Sequence, residues 1–239
     1  MKYQLFLLFT FFALTSHFSQ EIYAYPEDQT AYTGGNIQFY KDFRKVIIDK
    51  NLQPCTDKNE GFNFRILILP DKKIKYVKDA NPISSEKNKC ALELSREVAK
   101  YLSGWNPAVV DGNKVPAVTG FWIIPNELFQ ELKENYDPIN DMILPTYEGG
   151  INKFRKKVFQ SIDLTRFKFE GKFKLLVTFV IEADGKMSNV KLEEGTGLKP
   201  FDDMVINGIS GIRNKWTPGS IHGIPVRSLF KLPLAFSMD

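Results

Sequence analysis

The chain predicts an α+β fold made of two tandem small domains, and three observations carry that prediction. The first is a repeat: Tyr32-Thr33-Gly34-Gly35 followed by Phe39 returns 115 positions later as Tyr147-Glu148-Gly149-Gly150 followed by Phe154, and Trp105-Asn106-Pro107 returns as Trp216-Thr217-Pro218. Ordered self-similarity marks a repeated structural unit. The second is the order of patterns between those anchors: helical spacing, two strand-length apolar runs around a turn, helical spacing again, then a last strand. The third is size and composition, 239 residues with 43% hydrophobic and 25% charged, which suits two small globular units. A three-stranded antiparallel sheet with two helices on one face is the economical packing for each unit, in the order α-β-β-α-β. The units are placed at residues 32–125 and 147–236, with a linker at 126–146.

Residues 1–20 open with Met1-Lys2, an apolar block from Leu5 to Leu14, and small or polar residues up to Gln20. This reads as a secretory signal peptide. The block falls short of the roughly 20 apolar residues a membrane helix needs.

In the first repeat, Phe39, Phe43, Val46 and Ile47 share one helical face. Phe62 to Leu69 and Ile74 to Val77 form a hairpin around Asp71-Lys72-Lys73. Ser84, Ser85 and Glu86 are placed to cap a second helix whose inner stripe is Cys90, Leu94, Val98 and Tyr101. Trp105-Asn106-Pro107 is expected to end that helix, and Val115 to Ile124 to form the third strand. The linker carries a short helical pattern, Leu128, Phe129 and Leu132, before Asp137-Pro138 and Leu144-Pro145.

The second repeat is cleaner. Gly149-Gly150 leads into Ile151, Phe154, Val158 and Ile162 at helical spacing, with Lys153, Arg155, Lys156 and Lys157 forming a basic patch that reads as a solvated face, with docking of anionic lipid or a partner as the alternative. Phe173 to Ile181 is a strand-length run, Asp184-Gly185 supplies the turn, and Val190 and Leu192 return. Pro200 and Asp202-Asp203 open a helix with acids at its positive end, and Phe201, Val205, Ile209, Ile212 and Trp216 are read as one stripe. Pro218-Gly219 stops it. After a turn at His222-Gly223, Val226 to Phe236 is the last strand, interrupted by Pro233.

Charge excludes one function class. A net +4 from 32 basic and 28 acidic residues, interspersed along the chain, is too weak for a nucleic-acid surface. Cys55 and Cys90 are the only cysteines; in an exported chain such a pair reads as a disulfide, with two buried apolar thiols as the alternative.

Chemistry-bearing residues are sparse. His222 sits in a turn without a nucleophile or second histidine nearby, and reads as a solvated turn residue. Adjacent carboxylates, Asp202-Asp203 and Glu193-Glu194, point apart on a helix or strand, which suits a dipole cap and a solvated strand end. The paired glycines lack the lysine and Ser/Thr of a phosphate loop and read as helix-entry turns. Trp105 and Trp216 read as core aromatics holding a turn. No enzyme, metal or cofactor is expected.

Five motifs in register carry a family resemblance. Tyr147-Glu148-Gly149-Gly150 with Phe154, the hairpin Phe179 to Lys186, Trp216-Thr217-Pro218-Gly219, Gly223-Ile224-Pro225-Val226, and Leu232-Pro233-Leu234-Ala235-Phe236 resemble the TonB C-terminal domain of Bacteroidota-type bacteria. Residues 32–125 resemble it more distantly, with Lys72 where the hairpin glycine stands. The resemblance implies a periplasmic domain that offers its last strand to a TonB-box segment of an outer-membrane transporter by β-augmentation. The implied edge is Val226, Arg227, Ser228, Leu229, Phe230, Lys231 and Leu232, with Pro225 and Pro233 limiting pairing to the middle; the same prolines also suit a structural strand protected from aggregation, and both readings stay open. Gly149, Gly150, Trp216, Pro218, Gly223 and Pro225 are the implied structural positions. Neither a full-length anchoring helix nor a proline-rich spacer precedes the repeats, so the expectation is a binding module. A membrane-anchored energy transducer retaining residues 1–20, and a homodimer joined edge to edge, are the alternatives.

Overall fold

The computed structural model describes residues 23–78, 82–167, 171–213 and 216–238; the expected signal peptide lies outside them. The elements of the first half are β1 (Tyr23–Ala24), α1 (Gly35–Asp49), β2 (Phe62–Ile68), β3 (Ile74–Tyr76), α2 (Pro82–Lys87), α3 (Lys89–Ala99), β4 (Ala108–Val110), β5 (Asn113–Val115), β6 (Ala117–Ile123) and α4 (Pro125–Leu128). The second half holds β7 (Met142–Ile143), β8 (Thr146–Tyr147), α5 (Gly150–Ser161), β9 (Gly171–Ile181), β10 (Met187–Leu192), α6 (Lys199–Ser210), β11 (Trp216–Thr217), β12 (Gly219–Ile221), β13 (Ile224–Val226) and β14 (Ser228–Met238). The fold is α+β, with each repeat built on its own sheet, antiparallel except for β1.

Both α1 and α5 begin where the sequence repeats. Gly34 and Gly149 stand before the first turn with φ of 81° and 82°, a left-handed conformation that glycine adopts at little cost. Each helix then drops its phenylalanine, Phe39 or Phe154, into a core where both are fully buried. The tyrosine ahead of the glycines pairs as a strand residue with the repeated tryptophan. Tyr32 bridges Trp105, and Tyr147 in β8 faces Trp216 in β11, with ring centroids 5.2 Å apart in both cases.

This corrects the reading of the tryptophans as helix ends. The second helices stop earlier, at Ala99 and Ser210, and Trp105 and Trp216 lie beyond them in bridges. The buried positions of α3 are likewise Ala91, Leu94, Ser95, Val98 and Ala99, while Cys90 is half-buried and Tyr101 is exposed. Glu60 accepts the Ala91 amide at 2.8 Å and so caps α3; Ser84, Ser85 and Glu86 belong to the preceding α2.

The hairpins match bond for bond. In the first repeat Leu69 N–H donates to Lys73 O, Lys72 N–H to Leu69 O, and Lys73 N–H to the Asp71 carboxylate. In the second, Glu182 N–H donates to Lys186 O, Gly185 N–H to Glu182 O, and Lys186 N–H to the Asp184 carboxylate. Lys72 therefore carries the left-handed backbone that Gly185 supplies, at φ 68° against 80°.

Strand order is β1-β6-β2-β3 in the first repeat and β10-β9-β14 in the second. Alternation along β2 buries Phe62, Phe64, Ile66 and Ile68 against α1 and α3. Odd residues of β9 and even residues of β14 do the same against α5 and α6. The first sheet has one strand more than expected: β1 joins β6 in parallel, Tyr23 opposite Ala117 and Ala24 opposite Val118.

Cys55 and Cys90 form a disulfide that ties the α1–β2 loop to the start of α3. Among the described residues no helix is long and apolar enough to cross a membrane.

The linker packs onto both neighbours. Leu128 and Tyr136 enter the first core, and β7 pairs with β12 of the second half. A small apolar cluster of Ile124, Ile221 and Val226 closes the contact between them.

Candidate functional site: the edge strand of the second sheet

β14 pairs with β9 along all eleven of its residues, from Ser228 opposite Ile181 to Met238 opposite Gly171. Among the described residues nothing pairs on its other side. Backbone parity decides what that side presents. Glu182 N–H bonds toward the β10 hairpin arm, and Leu176 O accepts from Glu193 on the same side, so the even residues of β9 turn to β10. The odd residues of β9 therefore turn to β14, where they exchange bonds with Ser228, Phe230, Leu232 and Leu234. The N–H and C=O groups of Leu229, Lys231 and Ala235 are left facing outward, with the C=O of Pro233 between them.

Pro233 thus costs the ladder nothing. Its missing N–H falls on the outward side, which is why the strand runs through it rather than being interrupted. The expected limit at Pro225 is corrected too. Pro225 and Val226 lie in β13, paired with Ser220 and Gly219 of β12, and Val226 is buried. Arg227 joins β13 to β14 and holds Glu182 at 3.1 Å. Of the seven edge residues, Ser228, Leu229, Phe230, Lys231 and Leu232 are on β14, and Val226 and Arg227 are not.

Side chains alternate along the strand. Ser228, Leu232, Leu234 and Phe236 are buried, and Phe230 stacks on Phe179 at 5.2 Å. Leu229 is 62% exposed, a large apolar side chain on an unpaired edge. Beside it, Lys231 reaches Glu193 at 3.5 Å. The far end of the ladder borders a recess of about 410 Å³ lined by Phe167, Phe173, Leu175, Leu198 and Phe201.

No family model, curated protein or solved structure matches this chain.

The structural positions hold their parts of this scaffold. Gly149 and Gly150 keep positive φ at the entry to α5, and Gly223 does so in the β12–β13 turn. Gly185 is constrained twice, since a Cβ there would sit 2.5 Å from Trp216 O. Pro218 links β11 to β12.

His222 departs from the solvated-turn reading. Its Nδ1 lies 2.5 Å from Glu127 Oε1 and its Nε2 2.9 Å from Asp141 Oδ2, both acids coming from the linker. Glu127 also accepts the Tyr136 hydroxyl at 2.7 Å. Burial on its own would lower the imidazole's affinity for a proton. The hydrogen bonds and charges of Glu127, then Asp141, outweigh it and raise the pKa above the ordinary value. Both ring nitrogens are thereby engaged, making a clasp between the linker and the β12–β13 turn.

The acidic pairs also find partners. Asp202 accepts from Thr196 N–H and Oγ, fastening the preceding loop rather than the helix amides, and Asp203 pairs with Lys199 at 2.7 Å. Cys55, Glu60 and Cys90 bring ligand-type atoms within 4.8 Å of one another. Both sulfurs are spent in the disulfide and Glu60 caps α3, so the trio is structural.

Sequence reasoning missed β1 and the His222 clasp. The clasp joins residues 95 and 81 positions apart, and no local pattern announces such a contact.

Proposed function

We propose that this chain is an exported binding module that receives an extended segment of an envelope protein on the outer edge of β14. One observation carries the reading: a long strand, fully paired on one side, leaves the backbone groups of Leu229 and Lys231 without a strand partner on the other among the described residues. An added strand would satisfy those groups and cover the exposed Leu229 side chain, which is how β-augmentation gains affinity and selectivity. The resemblance of residues 147–236 to the TonB C-terminal domain supplies the partner class, TonB-box-like segments of outer-membrane transporters, and the compartment, the periplasm.

The test is a pull-down from solubilised outer membranes with residues 21–239 and with a Leu229→Pro variant. Position 229 turns its backbone nitrogen outward, as Pro233 does, so proline there removes a docking donor while sparing the β9 ladder. Transporters recovered by the wild type and lost with the variant are the expected result. Equal recovery by both would sink edge docking, and a mass that doubles with concentration in the wild type alone would favour the edge-to-edge homodimer.

A further inference from the structure

The two repeats can be aligned strand by strand through their matching turns. Ile68 and Ile181 occupy the same place before the hairpin, and they pair with Ala117 and Ser228 respectively. Val118 on β6 is therefore the counterpart of Leu229 on β14. The parity agrees: Val118 O accepts Tyr25 N–H at 3.0 Å, so this residue too turns its backbone groups to the outer side. Where Leu229 faces outward unpaired, Val118 is covered by the chain's own β1.

We propose that residues 23–25 are a built-in edge plug: they occupy on the first repeat the docking position that stays open on the second, and an extended peptide competes with them for it. This rests on the strand-edge reading above and adds a second, masked edge to it. The plug is short. Its ladder covers only Ala117 and Val118 of the seven residues of β6. Further along, Trp122 O accepts the Tyr40 hydroxyl at 3.0 Å, and the outward groups of Gly120 are without a strand partner among the described residues. A longer extended segment would replace the plug's bonds and add those of Gly120.

The plug is also tethered. The Tyr25 hydroxyl shares its one proton between Thr30 O and Asn106 O, each 3.0 Å away, and Gln29 exchanges two hydrogen bonds with Val109, at 2.8 and 2.9 Å. The tether holds the segment beside its edge at high effective concentration, so a partner must outcompete it there but not at β14.

The test uses the isotope-labelled chain and a synthetic peptide of residues 23–30, added to millimolar concentration and followed by amide shifts. In the wild type, the Leu229 and Lys231 signals should move and those of Val118 and Gly120 should not. In a Tyr25→Pro variant, which loses both the donor to Val118 and the anchored ring, both sets should move. Val118 shifts that are the same in the two proteins, present or absent, overturn the plug. Movement at Val118 in the variant with none at Leu229 keeps the plug and removes the β14 reading. Hydrogen exchange on the unaltered chain gives an independent check against misfolding of the variant. The Val118 amide should exchange at least tenfold faster than that of Thr119, which faces β2, and equal protection would reject a displaceable segment.

Discussion

The same residue in the two repeats stands in different chemistry. Tyr32 donates its hydroxyl to Asp42 at 2.9 Å, and burial together with that carboxylate pushes its pKa up. Tyr147 stands at the repeat equivalent, but the position matching Asp42 is Lys157, whose ammonium lies over the Tyr147 ring at 5.9 Å, and the buried hydroxyl has no hydrogen-bond partner among the described residues. Removing one member of a bonded pair costs on the order of 1 kcal/mol, while removing an unsatisfied buried hydroxyl relieves a penalty of similar size. Tyr32→Phe is therefore expected to destabilise by about 1 kcal/mol and Tyr147→Phe to be neutral or stabilising. Urea denaturation of the two variants checks the opposite signs; a loss of equal size at both positions would contradict the account.

At the scale of elements, the hairpin turns show what a side chain costs in a left-handed position. Lys72 holds φ 68° where the second repeat has glycine. Replacing it with glycine should stabilise the first repeat by about 1 kcal/mol, read as a rise in its thermal midpoint. Gly185→Ala should lose more than that, because Trp216 O blocks the added carbon. These turns were legible because their bonds are local and their residue types specific. The repeated Gly-Gly entries, the hairpins and the apolar faces of α1 and α5 were legible for the same reason. The helix ends were not. Ile209, Ile212 and Trp216 continue a helical spacing past Ser210, yet α6 stops there, because Trp216 gains a strand partner and a packed face against Tyr147. Of the site, the alternation of β14 could be read from sequence, while the confinement of Val226 to another hairpin and the pairing of β1 required the tertiary structure.

For the whole molecule, the clasp of His222 by Glu127 and Asp141 joins the linker to the second repeat. Because the folded state binds this proton more tightly than an unfolded histidine, the clasp contributes fully below about pH 6.5 and is lost as pH rises through the raised folded value. The difference in thermal midpoint between the wild type and His222→Gln should be larger at pH 6 than at pH 9; a difference independent of pH would mean the charge plays no part. The disulfide acts on one half only. Its cysteines are 35 positions apart, and the chain-entropy model gives roughly 3 to 4 kcal/mol for a loop of that size. Replacing both cysteines with serine should lower the unfolding midpoint of the first core while hydrogen exchange in the second core stays unchanged.

Pro233 bears on the fate of the molecule in a crowded compartment. An exposed strand edge is a template on which sheet can grow from chain to chain. With no amide hydrogen at 233, the outward row of donors on β14 is broken after Lys231. A long cross-β stack of copies would lose a bond at every layer, which protects the folded chain from aggregating through this strand.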